Sequence, residues 1–148
     1  MLLLVEKISR LKLQWNVRPL TEADFFTLCR RNRITVTEMP LRAGGFYYRV
    51  KGRDFIAVDS RLAGHKRLAV MFHELGHFLF HVPESGVTAN FLGLKRESRM
   101  ELEAELFALC AVMPRNAVKD RTAQELIDDG FPPALVADRF EIFERYGL

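Results

Sequence analysis

Cysteine is scarce in this chain: Cys29 and Cys110 are the only two in 148 residues. Neither belongs to a paired-cysteine metal motif, which excludes a thiolate-rich zinc finger and a disulfide framework. Both lie among apolar residues in helical context and read as reduced core residues of a cytosolic protein. Long hydrophobic runs are missing as well. The opening Met1-Leu2-Leu3-Leu4-Val5 is interrupted at once by Glu6 and Lys7, too short for a signal peptide or a membrane span. A cytoplasmic protein without a membrane partner is therefore expected. Internal repeats and low-complexity tracts are not seen. Charge is not concentrated either: the net charge is +3, and Lys7, Arg10, Arg30, Arg31, Arg33, Arg49, Arg53 and Arg61 are scattered. They lack the interleaved aromatics of a nucleic-acid platform and read as a solvated surface. Direct nucleic-acid binding is not expected.

What is present suits a soluble globular protein, with 49% hydrophobic and 28% charged residues. A single domain over residues 1–148 is expected, with a core at about 20–115 and a helical tail at about 116–148. The first ten residues predict a short helix or a loosely held arm. Thr21-Glu22-Ala23-Asp24 reads as a helix start with Thr21 as N-cap, running through Phe25, Phe26, Leu28 and Cys29 to near Asn32. Three β-prone runs follow: Ile34 to Thr37, Phe46 to Val50 and Phe55 to Val58. Gly44-Gly45 and Lys51-Gly52-Arg53-Asp54 supply turn chemistry between them. These predict a small antiparallel meander with one face buried.

Asp59-Ser60 and Gly64 break the chain before a helix from His65 to about Val82, apolar on most sides and hence central. Residues 83–96 predict a loop over a cleft. A second helix spans Glu97 to Met113 and is ended by Pro114. The tail predicts one helix from Thr122 to Asp129 and another opened by Pro132-Pro133, running through Val136, Phe140, Ile142 and Phe143.

The central helix carries His73-Glu74-Leu75-Gly76-His77. Histidines four residues apart share one side of a helix and can reach one ion together. Glu74 sits beside the metal, placed to take a proton from the water that the metal activates. Buried histidines and a carboxylate in an apolar helix are unfavourable unless something binds them. A third ligand is needed. Ten positions after His73 stands Pro83, so a third histidine at that spacing is excluded. His81 lies roughly 80° around the helix from His73 and reads as a supporting or helix-ending residue. Glu101, Glu103 and Glu105 of the second helix compete for the role. Glu101 shares a small-residue face with Ala104, Glu105, Ala108 and Val112, whereas Glu103 shares one with Leu106, Phe107 and Cys110. The closer approach favours Glu101. Glu105 can accept a proton from the outer nitrogen of a liganding histidine. The alternative for Glu103 and Glu105 is a solvated face. Two nitrogens, one carboxylate and an open fourth position describe a catalytic Zn2+ site, and the expected reaction is amide hydrolysis. Tyr47, Tyr48, His65 and Arg99 are candidates to stabilise the oxyanion.

His73-Glu74-Leu75-Gly76-His77 with trailing His81, then Glu101-Leu102-Glu103-Ala104-Glu105-Leu106-Phe107-Ala108 and Met113-Pro114, resembles the ImmA/IrrE family of zinc metallopeptidases over residues 20–115. The resemblance implies a minimal zincin-like α+β fold, with His73, His77 and Glu101 as metal ligands and Glu74 as general base. Position 105 in that pattern is usually Asn or Asp, and here it is Glu. It also implies a protein substrate, a separate helix-turn-helix repressor, in stress response or on a mobile element. The competing expectation is a binding module that acts on a transcription regulator or toxin by contact, through the helical tail around Phe140 and Phe143.

Overall fold

The computed structural model describes residues 1–81 and 98–148. In chain order these form α1 (Leu2–Ser9), α2 (Glu22–Arg31), β1 (Ile34–Met39), β2 (Gly45–Val50), β3 (Arg53–Asp59), α3 (Gly64–His81), α4 (Ser98–Val112), α5 (Arg115–Asp120), α6 (Ala123–Asp128) and α7 (Pro133–Tyr146). The architecture is α+β, as expected. The loop expected at 83–96 lies outside the described residues.

The N-terminal residues form a helix, α1, with Leu4 and Ile8 buried. Helix α2 begins at the capping box read from its sequence. Asp24 N–H donates to Thr21 Oγ1 at 3.2 Å, and Thr21 N–H donates to the Asp24 carboxylate at 2.8 Å. Arg18 grips the same carboxylate at 2.9 and 3.1 Å, and this hydrogen bonding pulls its pKa down to about 2.

The three strands fall where alternation predicted them, but they do not form a meander. The sheet order is β1-β3-β2, with β1 parallel and β2 antiparallel to β3. The reason lies in β3, whose Ile56, Ala57 and Val58 are fully buried. A strand apolar on both faces is favoured in the middle of a sheet, paired on both edges. β2 and β3 are joined through Lys51 (φ 50°) and Gly52 (φ 75°), two residues with the positive φ of a tight primed turn. The crossover over residues 40–44 then leaves β1 on the far side.

Helix α3 packs on the sheet and on α4, burying Met71, Phe72 and Leu75. Phe72 meets Phe25 and Phe107 edge-on, at 5.9 and 6.1 Å between centroids. The α3–α4 contact is close because its facing residues are small. A Cβ on Gly76 would lie 3.3 Å from Ala104 Cα and 3.2 Å from Phe107 Cδ1. Trp15 stacks on Phe107 and donates its indole N–H to the Phe107 carbonyl at 2.9 Å.

The tail holds α5 as well as the two helices expected. Its anchor is Arg139 of α7, which is fully buried. The guanidinium donates to the Met113 carbonyl at 2.6 Å, the Leu148 carbonyl at 3.0 Å and Asn16 Oδ1 at 3.1 Å. It thereby ties α7 to the end of α4 and to the N-terminal loop. Among the described residues, no helix is long and apolar enough to cross a membrane.

Candidate metal centre

Helices α3 and α4 bring three of the expected residues to one point. His73 Nε2 lies 3.2 Å from His77 Nε2 and 3.1 Å from Glu101 Oε2, and His77 Nε2 lies 3.3 Å from Glu101 Oε1. Helical geometry stacks the two rings one turn apart, and the close α3–α4 approach brings the Glu101 carboxylate up to both. One donor atom from each of these residues converges, so the group can hold a metal ion.

The outer ring nitrogens are also engaged. His73 Nδ1 donates to Glu105 Oε2 at 2.9 Å. His77 Nδ1 lies 3.1 Å from His81 Nδ1, and His81 Nε2 lies 3.0 Å from Glu103 Oε2. Arg99 Nε donates to the other oxygen of Glu103 at 2.9 Å. Glu105 thus stands where the sequence placed a histidine-orienting carboxylate. Glu103 does not form part of a solvated face; its side chain is only 19% exposed.

Electrostatics follow from these contacts. Burial opposes protonation of His73, but hydrogen bonds to Glu101 and Glu105 and the charge of Glu74 outweigh it and hold the pKa up to about 9. Hydrogen bonds from His73 and His77 pull Glu101 well below the usual carboxylate range. A carboxylate and two imidazoles so arranged compete for a proton in the absence of a metal, and a metal takes the place of that proton. Glu74 is buried beside them, its Cγ near Gly45 of β2.

Two clefts flank the group. One, of about 320 Å³, runs past His73, Glu101 and Glu105 under Asp138, Glu141 and Tyr146 of α7. The other, of about 240 Å³, lies between His73, Glu74 and Gly44-Gly45. The α7 residues were not legible as cleft walls, because only the folding back of the tail puts them there. Burial, followed by the charges of Glu105 and Glu141, raises the pKa of Asp138.

The four oxyanion candidates lie elsewhere. Tyr47 is fully buried and donates to Asp54 at 2.6 Å, and Tyr48 stacks on Phe55. His65 stacks on Phe131, with centroids 3.7 Å apart, and Arg99 is committed to Glu103. None of the four lines either cleft.

The profile of one protein family, a peptidase family described as the IrrE N-terminal-like domain, matches residues 29–145. The match continues through most of the tail, beyond the 20–115 stretch over which the motifs carried the resemblance. No curated protein and no solved structure matches the chain.

Proposed function

Because the chain belongs to the IrrE N-terminal-like family of peptidase domains, we propose that it is a zinc-dependent endopeptidase. Its substrate in this reading is a separate regulatory protein, a helix-turn-helix repressor, met in the cytoplasm. The observation that carries the catalytic reading is the convergence of His73 Nε2, His77 Nε2 and the Glu101 carboxylate at 3.1–3.3 Å. Donors about 2.0–2.1 Å from a tetrahedral zinc lie about 3.3 Å apart, close to the separation of the two Nε2 atoms and to that between each of them and one oxygen of the Glu101 carboxylate. Mixed imidazole and carboxylate donors suit zinc, with room for substrate on the side of the clefts.

When bound, zinc supplies a Lewis acid that polarises the scissile carbonyl and acidifies a water. The chain's own residues do the rest. Glu74 takes the proton from the attacking water and returns it to the leaving amine nitrogen. Glu105 holds His73 with Nε2 turned inward, since its carboxylate accepts the Nδ1 hydrogen. Helix α7 walls the cleft beside His73, Glu101 and Glu105.

The test is incubation of zinc-loaded protein with the helix-turn-helix regulator encoded beside it, against Glu74→Gln. Defined fragments by mass spectrometry with wild type only are expected. Equal loss of intact regulator with both forms would sink the catalytic reading and favour action by contact. Metal analysis completes the test: Glu101→Ala is expected to lose zinc and Glu103→Ala to retain part of it.

A further inference from the structure

His73 has a carboxylate on its outer nitrogen, whereas the outer nitrogen of His77 meets a third imidazole. Two ring nitrogens at hydrogen-bond distance share one proton, and the groups beyond decide which ring owns it. A carboxylate only accepts, so the hydrogen on the His81–Glu103 contact belongs to His81 Nε2. In a neutral His81 the Nδ1 atom is then a bare acceptor. The hydrogen between the two rings is therefore on His77 Nδ1, so that a metal taking the place of the hydrogen His77 gives to Glu101 would meet the lone pair of Nε2.

We propose that His81 and Glu103 are positioning residues of the metal centre: a two-link relay that fixes the tautomer and ring angle of His77. This rests on the metal-centre reading above and adds to it how its most enclosed ligand is oriented. Several observations support the relay. Each link is short, at 3.1 Å and then 3.0 Å. The side chains run from an enclosed His77 (3% exposed) through His81 (7%) to Glu103 (19%). Two residues along a helix turn the side chain by roughly 200°, so Glu103 leaves α4 on a different face from Glu101 and Glu105. His81, at the end of α3, spans that offset. Arg99 grips the second oxygen of Glu103 at 2.9 Å and so fixes the carboxylate opposite His81. Outer partners of metal-bound histidines set ligand basicity and orientation in this way.

The rival role is a staple: an ion pair that joins the end of α3 to α4 and does nothing for the metal. Zinc affinity, measured by competition with a chromophoric chelator, separates the two. The relay predicts that His81→Phe and Glu103→Ala each lose roughly 10–100-fold in affinity, with partial recovery in Glu103→Gln, which restores an acceptor. The double variant should lose no more than the worse single one, because both changes break the same chain. Wild-type affinity in Glu103→Ala, or losses that add, would overturn the relay even if the unfolding midpoint falls. A measurement on the unaltered protein decides independently of how the variants fold. In the ¹⁵N spectrum of the zinc-loaded form, His81 is expected as the neutral Nε2–H tautomer; an Nδ1–H or doubly protonated ring would overturn the proposal. Wild type that binds zinc no better than His77→Ala would instead overturn the metal centre itself, and the relay with it.

Discussion

Gly76→Ala tests whether the spacing of two helices sets the metal centre. The added Cβ would stand 3.3 Å from Ala104 Cα and 3.2 Å from Phe107 Cδ1. Neither neighbour yields easily: one is backbone, and the other ring is held by Trp15, Phe72 and Phe80. An ordinary carbon contact is about 3.5–4.0 Å, so α4 must retreat by a few tenths of an ångström. Two terms oppose each other in stability. Alanine for glycine in a helix interior is worth about 1 kcal/mol, and overpacking costs about 1–3 kcal/mol. The metal-free protein is thus expected to lose between nothing and about 2 kcal/mol. Metal binding has no such compensation. Ligand distances are tolerated to about ±0.2 Å, and Glu101 moves with α4 while His73 and His77 stay on α3. Zinc affinity should fall about tenfold or more, comparable with the loss of an orienting partner. Urea unfolding of the metal-free form and chelator competition give the two numbers. A folded Gly76→Ala protein with wild-type zinc affinity would refute the claim that this contact positions Glu101.

Other outcomes follow from features away from that contact. Arg139→Ala strands the buried Met113 carbonyl, at about 1–3 kcal/mol, and opens a cavity worth about 2–5 kcal/mol. Destabilisation on the order of 5 kcal/mol is expected, with Arg139→Met losing only the first part; a urea midpoint unmoved by Arg139→Ala would contradict it. Asp24, with its folded pKa at about 2 and its unfolded value near 3.9, contributes stability that is present above pH 4. That contribution is lost as pH falls from 4 through 2. After solvent screening it is about 1 kcal/mol, and the slope of stability over that window should flatten in Asp24→Asn. Zinc at about a hundredfold over its dissociation constant should stabilise the fold by about 2.7 kcal/mol, or roughly 5–11 °C. Chelator should reverse the shift, and Glu101→Ala should show none.

Local features of this chain were legible where their cause is local. The capping box at Thr21 and Asp24 needs only residues three apart, and the histidine pair needs only one helical turn. The choice of Glu101 over Glu103 came from the small face of α4, and Gly76 against Ala104 is that closeness in atomic terms. Strand order was not legible in the same way. Alternation gives each strand a buried face but not its neighbours, and the apolar run Phe55 to Val58 was the one sign that β3 belonged in the middle. The partner of Glu103 was missed because His81 stands at the end of the other helix, and a face argument made on α4 alone cannot see it. Tyr47 and His65, two of the oxyanion candidates, line neither cleft, because an aromatic with a polar tip serves equally well in a core or stacked on another ring.

Trp15 is the only tryptophan in the chain, and its ring lies flat on Phe107, two residues beyond Glu105 on α4. The molecule therefore contains its own optical gauge. With one indole there is no second tryptophan emission to deconvolute, and that indole is hydrogen-bonded to the backbone of the helix that carries Glu101. A change in emission on adding zinc reads the seating of α4 directly, without a label.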